Sequence, residues 1–395
     1  MSKSLYIVAI ENSADHLGAE LIAYIKKETE DIQCIGIGGA AMKAEGVQSL
    51  IDISGLAILG FVEGLKSYPL IMKRVHGTVT SIMTNKPDAV VLIDSWGFMI
   101  RVAKRLKQNG YKGKIIKYLA PQVWAMREGR SKILASCVDQ LLTIHSFDAP
   151  YFEKHGLATT YVGNPVLDTD YLTGEAKGLK TERSIQADTL VLSVFFGSRM
   201  SEIKTLIPIF SEALDKVRAH IENVAILSPV SNNIAAELKA YAANEAGLKD
   251  VVLLSEHRKF DVFSASDVAL ACSGTITTQL ACAGVPTVVA YKLNPVTYSF
   301  AKRLYKPDYI SIVNIAAEEA LMPEYIQNEA SPQNLSGALF RYLDNPELRR
   351  QTSKKLVDQT QAMRGEGGFA SQRAAKAIAS IILSLIHISE PTRPY

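Results

Sequence analysis

Cysteine is scarce in this chain. The four present, Cys34, Cys137, Cys272 and Cys282, lie far apart, without a CxxC pair or histidines at metal-ligand spacing. That pattern excludes a disulfide scaffold and a zinc module, and leaves four reduced core residues. His16, His76, His145, His155, His220 and His257 form no cluster either, so no metal is expected. No apolar run approaches the roughly 18 residues of a membrane span. The run after Met1, Leu5 to Ile10, is too short and too lightly flanked for a signal peptide. Long basic runs are absent and the net charge is only +3, which gives no nucleic-acid footprint and leaves anionic partners to local patches. The loop after that first run, Ala9-Ile10-Glu11-Asn12-Ser13-Ala14-Asp15, lacks GxGxxG. A nicotinamide dinucleotide therefore has no fingerprint where it needs one, and no cofactor is expected.

What the chain does contain is a repeating alternation. Its 395 residues, 48% hydrophobic and 21% charged, suffice for two domains with ordinary cores. Short Val- and Ile-rich runs alternate with stretches of helical length, the pattern of βα units on a mostly parallel sheet. Strands are expected at Leu5 to Ile10, Gln33 to Ile37, Ala89 to Asp94, Lys114 to Leu119, Gln140 to Ile144 and Thr160 to Val162. A second series covers Leu190 to Phe196, Val224 to Leu227, Val251 to Leu254, Val268 to Ala271 and Thr287 to Tyr291. The fold class is α/β, two doubly wound Rossmann-like domains whose ligands bind in a crevice at the carboxyl ends of the strands. The expected division is 1–172, a polar linker at 173–188, a second domain at 189–345 and closing helices at 346–382. The segment 383–395, with Leu383-Ser-Leu-Ile-His-Ile-Ser-Glu-Pro-Thr-Arg393, resembles a translated transposon-end sequencing adapter and is read as a non-native tail.

Candidate chemistry falls at strand ends. Phe196-Gly197-Ser198-Arg199 follows a strand and opens a helix with Glu202 in its first turn. Glycine admits backbone N–H groups to an anion, the helix start supplies unpaired donors, and Arg199 adds a cationic fork, together a phosphate site. The plainer alternative is a glycine turn with a solvated arginine. Cys272-Ser273-Gly274-Thr275 repeats the arrangement, with simple hydroxyl capping as its alternative. Gln279, one turn beyond Thr275, reaches toward a ribose or sugar hydroxyl. Asp94 ends the apolar run Val90 to Ile93, where a carboxylate suits general-base work or caps the segment starting near Met99. Gly36-Ile37-Gly38-Gly39 reads as a turn. From Gly55 to Val75, Leu59, Phe61, Val62, Leu65, Leu70 and Ile71 mingle with Lys66, Lys73 and Arg74, which fits a surface dipping into lipid or a buried helix pair.

Taken together and in order, these motifs resemble those of the lipid-A-disaccharide synthase family over nearly the whole native length. Glu11-Asn-Ser13-Ala-Asp15-His-Leu-Gly18-Ala matches the family's first-loop segment, followed by Leu59-Gly-Phe-Val-Glu63, Ile93-Asp94-Ser95 and Pro121-Gln-Val-Trp124-Ala. Val162-Gly163-Asn164-Pro165, Gly197-Ser198-Arg199, Ser273-Gly274-Thr275 and the stretch around Asn314 complete the set. The resemblance implies a GT-B glycosyltransferase that joins UDP-2,3-diacylglucosamine to 2,3-diacylglucosamine 1-phosphate with inversion. The products are a β-1,6-linked lipid A disaccharide 1-phosphate and UDP, for lipopolysaccharide assembly in a Gram-negative bacterium.

By the same resemblance Asp94 is the base, Arg199 the diphosphate clamp and Asn314 an active-site asparagine. Gly197, Ser198, Ser273, Gly274, Thr275 and Gln279 face the donor, while Glu11, Ser13 and Asp15 line the acceptor side. Leu59, Phe61, Val62, Leu65, Leu70 and Ile71 become the contact with the cytoplasmic face of the inner membrane, on which the enzyme sits peripherally. A homodimer is left open. The chain departs from the family pattern at Ile10, Ala14, Trp96-Gly97, Asn164 and Gln279. The last replaces a charged acceptor of ribose hydrogen bonds by an amide and weakens UDP binding if the contact is made. Competing readings are another GT-B UDP-sugar enzyme, an N-acetylglucosaminyltransferase or an epimerase, and a weakened glycolipid-binding paralogue.

Overall fold

The structure, a computed structural model, describes residues 3–49, 51, 68–197, 199–294, 298 and 303–389. The chain divides into two compact units, Met1–Pro165 with Gly365–Tyr395, and Val166–Arg364.

In the first unit β1 (Lys3–Val8), β2 (Ile32–Ile37), β3 (Ala89–Ile93), β4 (Lys114–Tyr118), β5 (Gln140–Thr143) and β6 (Ala158–Tyr161) form one sheet in the order β2-β1-β3-β4-β5-β6. Every pairing is parallel. All five residues of β3 are fully buried, which explains its unbroken apolar run: helices cover both faces of a parallel sheet. Those helices are α1 (Asn12–Glu28), α2 (Ala40–Ala44), α3 (Tyr68–Asn85), α4 (Trp96–Gln108), α5 (Gly129–Ala135) and α6 (Ala149–Glu153). Val8, Val90 and Leu92 pack with Val75 and Val79 of α3 and Met99 and Val102 of α4. On the other face Ile7, Val91 and Ile93 meet Leu21, Ile22 and Ile25 of α1.

The second unit contains β7 (Leu190–Phe195), β8 (Val224–Val230), β9 (Val252–Ser255), β10 (Val268–Cys272), β11 (Thr287–Tyr291) and β12 (Glu324–Ile326), all parallel, in the order β12-β11-β10-β7-β8-β9. Its helices are α7 (Ala176–Glu182), α8 (Met200–His220), α9 (Asn232–Ala242), α10 (Lys259–Ala265), α11 (Thr275–Cys282), α12 (Ile312–Ala317), α13 (Pro332–Leu343) and α14 (Pro346–Arg364). The last helix, α15 (Ala370–Ser389), returns to the first unit, where Ala374, Ala375, Ile378 and Ile382 are buried against the α1 core.

Three boundaries differ from the sequence reading. The stretch 173–188 is not a linker, since its α7 packs on α10, buries Leu179 and belongs to the second unit. Gly174 approaches the Phe260 carbonyl so closely that a Cβ would lie 2.0 Å from its oxygen. One buried leucine among charged neighbours is enough to dock a two-turn helix but too little to show periodicity. The crossing lies instead at Pro165–Val166. Nor do the closing helices form one segment, because α14 stays with the second unit while α15 completes the first. Strand β12, three half-buried residues at a sheet edge, was not anticipated, being too short to carry a pattern.

Of the expected membrane contacts, Leu59, Phe61, Val62 and Leu65 lie outside the described residues. Leu70 is exposed on α3 beside the exposed Tyr68, whereas Ile71 packs against the core. Among the described residues no helix is long and apolar enough to cross a membrane.

Candidate functional site

Each sheet reverses its direction of growth once. In the first unit β1 is followed by β2 on one side and β3 on the other; in the second β7 is followed by β8 on one side and β10 on the other. Loops that leave the carboxyl ends of the two strands flanking such a switch diverge, and ligands of doubly wound folds bind in the gap. Several of the candidate residues from the sequence follow those four strand ends. Glu11 to Asp15 follows β1, Asp94 follows β3, Gly197 to Arg199 follows β7, and Ser273 to Thr275 follows β10.

In the first unit Asp94 and Ser95 both have left-handed backbone, with φ of 52° and 38°. Leu119, at the end of the neighbouring β4, has φ of 71°. Each such non-glycine residue costs about 1 kcal/mol or more. Consecutive residues in that region point to a turn held in shape for function. The half-buried Asp94 does not cap α4; Ser95 holds the capping position, and makes no side-chain cap bond there.

Beneath the turn lies a residue not anticipated from sequence. Lys117 on β4, 2% exposed, donates from Nζ to the Tyr118 carbonyl at 2.7 Å, and that same carbonyl accepts the Asp94 N–H at 3.0 Å. The ammonium thus bolts the backbone that carries Asp94. Burial holds the Lys117 pKa down to about 7, an effect opposed by the nearby Asp94 charge. Because the folded value lies below the ordinary 10.5, the stability linked to Lys117 is complete above that value and is lost as pH falls through about 7. The unfolding free energy of the wild type minus that of Lys117→Met should therefore rise between pH 7 and 10 and stay level below 7. A difference that stays level throughout would show that the folded ammonium keeps its proton.

The residues after β1 differ in exposure. Glu11 is half-buried and Ser13 exposed, both open to a substrate. Asp15 is 3% exposed, and its carboxylate accepts the N–H groups of Gly39 at 2.7 Å, Ala41 at 2.8 Å and Met42 at 3.1 Å. It holds the start of α2, a structural task that accounts for its burial. This also explains Gly38-Gly39: a Cβ on Gly39 would lie 2.6 Å from the Asp15 carboxylate.

In the second unit the two expected phosphate loops are neighbours, since β7 and β10 pair directly. Gly197 has φ of 107°, and a Cβ there would lie 3.4 Å from Cys272 Sγ. Arg199 precedes α8, its side chain 76% exposed, and donates to Glu202 Oε1 at 3.1 Å. Glu202, 15% exposed, lies against the glycine turn, with Oε2 3.3 Å from where a Cβ on Gly197 would be. Burial and the charge of Glu202 raise both the Cys272 thiol, to about 12, and the Tyr291 phenol. Ser273 is half-buried, and Gly274 and Thr275 are exposed at the start of α11, whose first N–H groups have no helical partner. Gln279 lies on α11 beside the Tyr171 hydroxyl. Ser198 lies outside the described residues.

Asn314 is held by its own set of bonds. It is fully buried on α12, where Nδ2 donates to the Met322 carbonyl at 2.7 Å and to Glu324 Oε1 at 2.8 Å, and Oδ1 accepts the Met322 N–H at 3.0 Å. Glu324 also accepts the N–H groups of Ile310 and Ser311. Asn314 is a pin for this loop, a structural task that the sequence did not show. Asn314→Ala, leaving several buried partners unsatisfied, should cost about 2 to 4 kcal/mol by urea denaturation. If the role is structural alone, the fraction still folded should turn over normally; a fully folded but inactive variant would place Asn314 in the chemistry.

Another buried cluster went unread. After β4 and β5, the Trp124 ring meets His145 edge-on at 6.2 Å and Phe147 at 5.3 Å, while Asp148 accepts the His145 N–H at 3.3 Å. Burial holds His145 down to about 4 and pushes Asp148 up to about 7, so both are neutral or nearly so around pH 6. Among the described residues no group of three His, Cys, Asp or Glu could hold a metal ion.

Comparison with known proteins agrees with this geometry. A sequence model described as Lipid-A-disaccharide synthetase matches residues 5–382. The chain is 35% identical over 380 residues to the lipid-A-disaccharide synthase of Rhodospirillum centenum, covering 96% of this chain and 94% of that one. With the enzyme of the same name from Paramagnetospirillum magneticum it is 35% identical over 381 residues, covering 96% and 97%. Among solved structures it is similar to an S. aureus MnaA–UDP co-structure, with a TM-score of 0.65 at 15% identity over all of both chains. That likeness shows the fold, two parallel-sheet units of the GT-B kind.

Proposed function

The chain belongs to the lipid-A-disaccharide synthase family, enzymes that transfer a sugar to form the lipid A disaccharide, and from that premise we propose how its residues divide the work. The donor is UDP-2,3-diacylglucosamine and the acceptor 2,3-diacylglucosamine 1-phosphate. The first unit receives the acceptor at the Asp94 turn, and the second holds the UDP-sugar on the Gly197–Arg199 and Ser273–Thr275 loops. The observation that carries this reading is the placement of both sets of residues at the switch points of their sheets.

The acceptor hydroxyl oxygen forms a bond to the anomeric carbon as the bond from that carbon to the diphosphate breaks on the opposite face. Its proton passes to the Asp94 carboxylate. The negative charge that develops on the departing UDP is met by Arg199 and by the open N–H groups before α8 and α11. Glu202 yields Arg199 to the diphosphate when donor binds. The exposed Tyr68 and Leu70 on α3 support a peripheral seat on the cytoplasmic face of the inner membrane, where both acylated substrates reside.

The test incubates the full chain with both acylated sugars in neutral detergent and follows UDP release and disaccharide. Equal amounts of the two products are expected. UDP release with unacylated acceptors only would favour another UDP-sugar transferase, and tight binding without turnover a glycolipid-binding protein.

A further inference from the structure

Two arginines after β4, one of them over the Trp96 ring, have no role in the scheme above. The loop after β4 ends in a turn from Arg127 to Arg130, closed by the Arg130 N–H on the Arg127 carbonyl at 2.9 Å. Arg127 is left-handed, with φ of 59°, and exposed; Arg130 is half-buried. The Arg130 guanidinium lies over the Trp96 ring, 5.1 Å from its centroid. Trp96 begins α4, two residues after Asp94. Among the described residues neither guanidinium pairs with a carboxylate. The nearest in sequence, Glu128, is engaged by Lys154. The loop is also held from behind, by Trp124 against Phe147 and by Ser131 Oγ donating to the Glu128 carbonyl at 2.7 Å.

We propose that Arg127 and Arg130, with Arg130 seated on Trp96, form a phosphomonoester site that recognises the 1-phosphate of the acceptor sugar. The proposal rests on the reading of Asp94 as the acceptor's base and adds what fixes the acceptor's orientation. Two cations with no carboxylate partner among the described residues repel each other until a dianion joins them. Consistent with that, burial and the Arg127 charge lower the pKa of Arg130. Stacking on Trp96 uses the face of the guanidinium and leaves its N–H rim for bidentate bonds to phosphate oxygens. The phosphate and the attacking hydroxyl sit at opposite ends of one sugar ring. Gripping the first at Arg127 and Arg130 turns the second toward the strand end that carries Asp94.

The test compares acceptors with and without the 1-phosphate, in neutral detergent micelles and in micelles containing phosphatidylglycerol, for wild type and Arg127→Gln/Arg130→Gln. Because both guanidinium partners of the phosphate are then neutral amides, kcat/KM for the phosphorylated acceptor should fall about 30-fold or more. The unphosphorylated acceptor should change less than about twofold, with the donor KM unmoved, since it offers those side chains no anion to bind. Arg130→Lys, which keeps the charge but not the stacked fork, should recover part of the loss. Equal losses for both acceptors, or a loss seen only with phosphatidylglycerol, would overturn the proposal, the latter by assigning the cations to a lipid headgroup. A wild-type protein that made no disaccharide would instead count against the proposed function.

Discussion

Asp94→Asn should lower turnover by about a thousandfold or more while leaving UDP affinity within about twofold of wild type, the loss expected when a positioned base is removed. Asparagine is the informative replacement. Asp94 is left-handed at φ of 52°, a conformation that asparagine shares with aspartate more readily than alanine does. Asp94→Ala would mix strain in the turn with loss of the carboxylate. UDP affinity should persist because the loops assigned to the donor belong to the other unit. Turnover can be read as UDP release under saturating substrates, and affinity by calorimetry with UDP. Normal turnover in Asp94→Asn would remove Asp94 from the mechanism and leave its strained turn unexplained.

The second large effect is expected at Arg199. Arg199→Ala should reduce kcat/KM for the donor by about a hundred- to a thousandfold, the usual consequence of removing a group aimed at developing negative charge. Part of that loss comes from Glu202. With its partner gone, the carboxylate beside Gly197 faces the diphosphate uncompensated, and like charges repel. Adding Glu202→Gln to Arg199→Ala should therefore restore donor affinity in part without restoring kcat. If the double variant bound donor no better than Arg199→Ala alone, Glu202 would not be a placeholder for the diphosphate. If Arg199→Ala left the donor kinetics unchanged, the phosphate reading of the Gly197 loop would fall with it.

The sequence showed most clearly what depends on neighbours in the chain. Gly197 announces a backbone that only glycine tolerates well, the helix that follows is legible from its periodicity, and together they define an anion site within a few residues. Asp94 is visible because an apolar run ends on it. Residues whose partners are distant carry structural tasks that the sequence did not show. Asp15 is in the first turn of α1, and its three N–H partners are 24 to 27 residues away, at and just before α2. Asn314 fits a family motif, but Met322 and Glu324 consume its amide. Lys117 was missed for another reason. In Lys-Ile-Ile-Lys-Tyr a lysine reads as an outward strand position, and only the parallel sheet, covered on both faces, puts it inside against the turn that holds Asp94.

The return of α15 to the first unit bears on how the protein is made. The second unit is one continuous stretch, Val166–Arg364, and its strands and helices are all available once that stretch has left the ribosome. The first unit is not so placed. Its α1 face is covered by Ala374, Ala375, Ile378 and Ile382, which are synthesised after the whole of the second unit. Until they arrive, Leu21, Ile22 and Ile25 have an unfinished core, and each isoleucine of α15 brings about 2 kcal/mol of burial when it docks. Domains generally fold in order of synthesis. Here the later unit can finish first, while the unit begun first waits for the last helix.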